Sequence, residues 1–304
     1  MNNQSKAIVS VIIPSYNSGK FLSTAIDSAL NQTFKALEVI VVDDGSTDNT
    51  VQVAESYGDR VTLHQQKNAG AAEARNNGAK IANGKWLAFL DADDIWEPIK
   101  IETQLSQCGD YVWSHTDSVF IGSGQDGSVR TSELAPHHSG NVLPELVVTN
   151  TVGTSTVMVQ KEAFFEVSGF DKSLRALQDW DLWLKLAAQH ALGYIDEPFT
   201  QYRVHEQSTS RNPKRTLHYH LEVINRTFSP GGVGEALPHL RKEALASSFN
   251  VLAHISEESK APLFALVCAF KALWYRPSVV YQWKCVARII IFGFLPPLFQ
   301  RNTN

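Results

Sequence analysis

From Ile8 to Ile13 every residue but Ser10 is apolar and most are β-branched, the pattern of a strand covered on both faces. Pro14 is expected to stop it. Leu22, Ala25, Ile26, Ala29 and Leu30 then recur at helical spacing and give one apolar face. Leu37 to Val42 reads as a second buried strand, closed by Asp43-Asp44-Gly45-Ser46. A helix is predicted from about Thr47 to Tyr57, with Ser46 or Thr47 as its cap. Val61 to His64 forms a short strand, Ala69 to Ala82 an alanine-rich helix, and Trp86 to Leu90 a further strand that ends at Asp91.

Strands that alternate with helices predict parallel pairing, because a parallel partner needs a crossover connection. In such sheets ligands bind beyond the carboxyl ends of the strands. Ser15-Tyr16-Asn17, Asp43-Asp44 and Asp91-Ala92-Asp93-Asp94 all fall at those ends and are expected to converge. Further on, Tyr111 to Ile121 reads as a strand or hairpin, and Gly122 to Gly140 as a polar, Gly-rich loop. Thr154 to Val159 is a candidate strand, Glu162 to Val167 a helix, Gly169-Phe170-Asp171 a turn and Asp179 to His190 a helix. After Arg211 the pattern is helical, and the chain has no internal repeat.

The chemistry lies in those strand ends. Asp91, Asp93 and Asp94 crowd one turn, and carboxylates that close call for a cation. Hard oxygen ligands suit Mg²⁺ or Mn²⁺, which bridge to substrate phosphates with few protein ligands. By residue type alone the turn could equally be a solvated helix cap. Tyr16 could stack on a base or belong to the core. Asp44 could accept hydrogen bonds from a base or ribose or simply form the turn, and Arg75 could reach a diphosphate or face solvent.

Four ordered segments carry a family resemblance: Ser10-Val-Ile-Ile-Pro-Ser-Tyr-Asn17, Val41-Val-Asp-Asp-Gly-Ser-Thr-Asp48, Asn68-Ala-Gly with Ala74-Arg-Asn-Asn-Gly78, and Phe89-Leu-Asp-Ala-Asp-Asp94. Together they resemble glycosyltransferase family 2, from about Ser10 to Ser210. The resemblance implies an α/β protein of GT-A fold, with a Rossmann-like, mostly parallel central sheet flanked by helices and a helical C-terminal extension. It implies an inverting sugar transfer from a nucleoside-diphosphate sugar, with uridine as the default base, to a glycan or lipid-linked acceptor. On matching positions, Pro14, Tyr16, Asn17, Asp44, Arg75, Asp91 and Ala92 would hold the nucleotide. Asp93 and Asp91 would bind Mn²⁺ or Mg²⁺. Leu177-Gln-Asp-Trp-Asp-Leu-Trp183 resembles the family's base segment, with Gln178 where Glu is usual and Asp179 retained as the base. Asp181 is its rival, and a helix N-cap is the plain alternative for Asp179. Tyr202-Arg-Val-His205, followed by Ser208 and Ser210, resembles a segment that closes over the donor, so His205 is a third candidate metal ligand or a structural histidine.

The expected division is a catalytic domain over residues 1–210, its halves meeting near residue 95, and a helical region over 211–304. A catalytically inactive nucleotide-sugar-binding module is the second reading, kept open by Gln178. No G-x-x-x-x-G-K-[ST] loop and no G-x-G-x-x-G follows the first strand, so the ATPase and dinucleotide readings lack their phosphate loops.

Composition changes the picture mainly at the C-terminus. Hydrophobic content of 43% and charged content of 19% describe a globular chain, and a net charge of −4 argues against nucleic acid as a partner. From Lys260 to Asn304, however, there are six basic residues and no acidic one, so this tail is +6 and the remainder −10. Pro262 to Tyr275 and Val286 to Phe299 are strongly apolar but too interrupted by Lys271, Arg288 and Pro296-Pro297 for a spanning helix. Such a tail suits an anionic membrane surface, or packing on the body or on a second subunit in a homodimer. Cys108, Cys268 and Cys285 are too far apart for a zinc site and read as buried thiols of a reducing compartment. With a polar MNNQSK start and no leader pattern, the expected location is cytoplasmic, peripheral on the inner membrane face if the tail binds lipid.

Overall fold

A computed structural model of the chain describes residues 7–205 and 212–294, without the side chains of Phe292 and Phe294. The expected boundary at residue 210, together with Ser208, Ser210 and Pro296-Pro297, lies outside the described residues. The described residues form two compact units, one from 7–142 and 151–205, the other from 143–150 and 212–294.

The first unit is built on one sheet. Its strands are β1 (Val9–Ser15), β2 (Leu37–Asp43), β3 (Thr62–Gln65), β4 (Trp86–Phe89), β5 (Ile95–Trp96), β6 (Trp113–Gly122), β7 (Gln125–Arg130), β8 (Val157–Gln160) and β9 (Leu192–Arg203), in the order β3-β2-β1-β4-β8-β6-β9-β5 with β7 beside β6. Helices α1 (Leu22–Leu30), α2 (Thr50–Glu55), α3 (Ala71–Ile81), α4 (Lys100–Gln107) and α5 (Thr131–Leu134) lie between them; α6 (Leu143–Leu146) belongs to the second unit, and α7 (Lys161–Glu166) and α8 (Gln178–Ala187) to the first.

The α/β class and the helical C-terminal region are as the resemblance implies. The parallel pairing expected from the alternation holds for β3, β2, β1 and β4, and again for β6 with β9. It fails at β8, which runs antiparallel to both β4 and β6, and in the β5–β9 and β6–β7 pairs, so the sheet is mixed. Pro14 does not end β1 either: the strand runs on to Ser15 against β2. The register explains this. Pairing with β4 has ended at Ile12, so an amide is not required on that side of Pro14.

Alternation along β1 sets the layers. Val9, Val11 and Ile13 pack with Leu22, Ala25, Ile26 and Ala29 of α1 on one face. Ile12 turns to the other, where α3 comes so close that a Cβ on Gly78 would stand 2.6 Å from the Ile12 side chain. Only glycine fits there. Phe89 of β4 continues that second layer against Phe164 and Phe170, and Trp113 of β6 stacks on Trp183 of α8 with ring centroids 5.9 Å apart.

The second unit holds α9 (Pro213–Phe228), α10 (Arg241–Glu258), α11 (Pro262–Tyr275) and α12 (Val280–Phe294). Asn212 caps α9 by accepting from the Arg215 amide, with Pro213 preset in the first turn. Phe249, Leu252 and Ala253 of α10 pack with Ala265, Cys268, Ala269 and Ala272 of α11 and with Cys285, Val286 and Ile289 of α12. The three cysteines are buried thiols. No helix among the described residues is long and apolar enough to cross a membrane.

Candidate active site

The carboxyl ends of β1, β2 and β4 bring the polar clusters together as strand topology demands. Asp91 follows β4, and its Oδ1 accepts from Nη2 of Arg75 on α3 at 2.5 Å. Arg75 is almost wholly buried, 5% exposed, with its guanidinium against the Phe170 ring. Its Nε and Nη1 have no partner among the described residues. Buried, unsatisfied N–H groups on a cation are costly, and acceptor oxygens could satisfy them.

Around Asp91 the turn is fixed by groups that sequence reasoning did not single out. Ser155 accepts from the Asp91 amide at 3.0 Å and donates its hydroxyl proton to Asp94 Oδ2 at 2.6 Å. The Arg203 amide donates to Asp94 Oδ1 at 2.9 Å, and the Arg203 Nε to the carbonyl of Asp93 at 2.8 Å. Asp94 is therefore buried and inward-facing, which leaves Asp91 and Asp93 as the half-buried pair. Burial raises the carboxyl of Asp93 above its usual range, and the charge of Asp91 adds to that; Asp94 is raised well above it, again by burial first and then by its two neighbours. Such anions favour a cation between them.

His205 completes the group. Its Nε2 lies 2.9 Å from Asp93 Oδ2, and its ring stacks on Phe21 at 5.1 Å, with the Arg203 guanidinium over the same phenyl ring. Two carboxylates and an imidazole are the donor set a Mn²⁺ or Mg²⁺ ion takes when substrate phosphates supply the remaining ligands. Among the described residues no three such side chains close on a common point.

The other strand ends serve differently. Asn17 takes a left-handed backbone (φ 50°), receives the Thr47 amide on Oδ1 at 2.8 Å and gives its own amide to Ser46, clasping the ends of β1 and β2. Pro14 is buried in β1, Ala92 is buried, and Tyr16 is half-exposed beside this clasp. Asp44 is buried, and both its oxygens are engaged by the loop ahead of α3: Gln66 Nε2 and the Ala69 amide on Oδ1, the Gly70 amide on Oδ2. Its first role is to shape that loop.

The segment that leads to Asp179 is tied to the same parts. Asn76, next to Arg75, donates to the Phe170 carbonyl and accepts its amide, at 2.8 and 3.0 Å, so it holds the Gly169-Phe170 turn to α3. Arg175 donates to the carbonyl of Ala69 at 2.8 Å. Leu177 then adopts a left-handed backbone (φ 57°) and occupies the N-cap position of α8. A non-glycine residue there costs roughly 1 kcal/mol or more, strain that tends to collect at functional sites. Asp179 falls inside the first turn, half-buried, so the N-cap alternative does not apply to it. Asp181 is 8% exposed and ion-paired to Lys185 at 2.6 Å on its own helix.

Comparison with known proteins agrees with this architecture. Residues 10–164 match the family model described as glycosyl transferase family 2. The chain is 32% identical over 233 residues, 73% of its length and 91% of the relative's, to the putative teichuronic acid biosynthesis glycosyltransferase TuaG of Bacillus subtilis. It superposes on S. aureus TarS 1–349 in complex with UDP-GlcNAc with a TM-score of 0.60 at 17% identity, covering 91% of each chain. The mannosyltransferase PcManGT of Pyrobaculum calidifontis, in complex with GDP-Man and Mn²⁺, gives 0.59 at 19% identity, covering 98% of this chain and 89% of that one. The two structures share the fold. The chain spans only about a third, 33% to 36%, of the length of the glycosyltransferases of Rickettsia bellii, Rickettsia felis and Rickettsia conorii that it also matches. On the family model and the TuaG match together, the chain belongs to glycosyltransferase family 2.

Proposed function

We propose that the chain transfers a sugar, with inversion, from a nucleoside-diphosphate sugar to a hydroxyl of a glycan or lipid-linked acceptor. The observation that carries this is Arg75: buried, anchored to Asp91, and left with two N–H groups that a diphosphate or base oxygen would satisfy. Tyr16, Asn17, Pro14, Asp44 and Ala92 would border the nucleoside. Asp91, Asp93 and His205 would hold Mn²⁺ or Mg²⁺, which when bound offsets the charge growing on the leaving diphosphate. Asp179 would take the proton of the acceptor hydroxyl as that oxygen attacks the anomeric carbon opposite the diphosphate. The carbon–oxygen bond to the diphosphate breaks, and its electron pair leaves with that oxygen. Asp181 is the weaker base because Lys185 already holds it. A UDP-sugar is the first donor to try; solved neighbours carry UDP-GlcNAc in one case and GDP-Man in another. A polysaccharide acceptor is favoured by the name of the TuaG relative.

Gln178 in place of the family's Glu supports a second reading, a nucleotide-sugar-binding module without turnover. A donor panel with Mn²⁺, read as release of nucleoside diphosphate, separates the two. Asp93→Ala is expected to abolish metal-dependent release. Asp179→Asn is expected to keep nucleotide affinity and lower transfer by roughly 10²- to 10⁴-fold. Metal-dependent nucleotide binding with no turnover of any donor would establish the second reading instead.

A further inference from the structure

The C-terminal helices place their side chains the wrong way round for a helix pair that faces water. On α11 the buried residues are the small ones, Ala265, Cys268, Ala269 and Ala272, with Leu273 at the edge. The large ones point out: Leu263 is 72% exposed, Val267 51%, Phe270 48% and Trp274 82%. Their spacing of four, three and four residues aligns them in one stripe along the helix. On α12, Cys285, Val286 and Ile289 face inward, while Val280, Tyr281, Trp283, Ile290 and Ile291 face outward. The two helices are antiparallel, since a Cβ on Gly293 would meet Pro262 at 3.0 Å. Apolar residues scattered over a surface need no explanation; two adjoining helices that bury alanine and expose tryptophan do.

Charge narrows what covers this face. Arg276 and Arg288 are ion-paired with Glu243 and Glu257 of α10. Lys260, Lys271 and Lys284 have no carboxylate partner among the described residues, although Lys271 lies over the Phe249 ring of α10 at 5.1 Å, and residues 260–304 contain no acid at all. Exposed Trp and Tyr side chains bordered by Lys are the composition of a membrane–water interface. At 14 residues α11 is about 21 Å long, short of the roughly 30 Å hydrocarbon core. We infer that α11 and α12 form an in-plane hairpin that lies on an anionic lipid surface, with the Leu263–Trp274 stripe in the acyl boundary and the lysines at the headgroups. This inference is independent of the proposed transfer reaction.

The test is co-sedimentation of the whole chain with vesicles of neutral phosphatidylcholine, with or without about a third of phosphatidylglycerol. No nucleotide sugar is added. Binding is expected on the anionic vesicles and not on the neutral ones. Phe270→Ser with Trp274→Ser is expected to lower partitioning at least about tenfold. Lys260→Gln, Lys271→Gln and Lys284→Gln together are expected to reduce it and to flatten its salt dependence. Circular dichroism of each variant should match the parent. Partitioning that is absent, or unchanged by either set, overturns the inference. So does a concentration-dependent dimer that the Phe270/Trp274 variant dissolves while the parent ignores vesicles, because the stripe would then be covered by a second copy.

Discussion

Helices α8 and α11 are both rich in large apolar residues, yet they spend them in opposite directions. On α8, Trp180, Leu182, Trp183, Leu184 and Leu186 are each 2% exposed or less. Trp183 stacks on Trp113, meets Phe170 edge-on at 6.1 Å and donates its indole N–H to the Val152 carbonyl at 3.1 Å. That packing anchors the helix whose first turn presents Asp179. On α11 the residues of similar size face outward and the helix is seated on its alanines. Apolar content thus says little about role; the direction of the side chains decides whether a helix builds a core or offers a surface.

Removing a large side chain should therefore cost most on α8. Trp183→Ala is expected to lose about 3–5 kcal/mol, since it empties a fully buried site and removes the indole hydrogen bond to the Val152 carbonyl. Urea unfolding of the whole chain measures this. A loss under about 1 kcal/mol would mean that α8 is not the anchor its packing describes.

A smaller effect is expected from a buried charge in the same unit. Asp117 on β6 is wholly buried; burial alone would raise its carboxyl, but hydrogen bonds from Ser132, Thr131 and Arg130 outweigh it and hold the carboxyl at about 2. The folded value lies below the 3.8 of an ordinary aspartate, so the stabilisation is complete above about pH 4 and disappears as pH falls through about 2. Asp117→Asn is expected to cost about 2 kcal/mol at pH 7. The gap from the parent should close between about pH 4 and pH 2 in acid unfolding followed by circular dichroism. A gap that is constant with pH would show that the hydrogen bonds, not the ionised state, carry the stability.

The contrast also explains what could be read from the chain beforehand. β1, β2, β4, α1 and α3 are legible because one period governs each of them, and the clusters at Asn17, Asp43-Asp44 and Asp91 mark where the strands end. β9 is not legible. Leu192–Arg203 carries Asp196, Glu197 and Pro198 in its middle, and the register with β6 shifts there, from Thr116 opposite Ile195 to Ser118 opposite Thr200. β7 is hidden in a Gly-rich run by the same lack of alternation. Because β9 was missed, so was Arg203, which fixes Asp93 and Asp94, even though it stands in the Tyr202–His205 segment. Ser155 carries no local signal, since the two groups its hydroxyl meets are more than sixty residues away. The outward stripe of α11 is equally silent in sequence: apart from Lys271 the helix is apolar all round, and only packing shows which side is covered.

The smallest effect is expected where the comparison is sharpest. Trp274 has the same side chain as Trp183 but is 82% exposed, with no neighbour on its outer face among the described residues. Trp274→Ser removes almost no buried area, and exposed substitutions of this kind fall within about 0.5 kcal/mol. In a domain of this size that is a shift of at most about 2 °C in Tm, measured by calorimetry without lipid. The same change should become visible only when a surface is supplied, as a loss of binding to anionic vesicles. If Trp274→Ser instead destabilised the isolated chain by 2 kcal/mol or more, as on the order of a buried tryptophan's loss, the stripe would already be covered in solution. The distinction between a helix that builds a core and one that offers a surface would then fall with it.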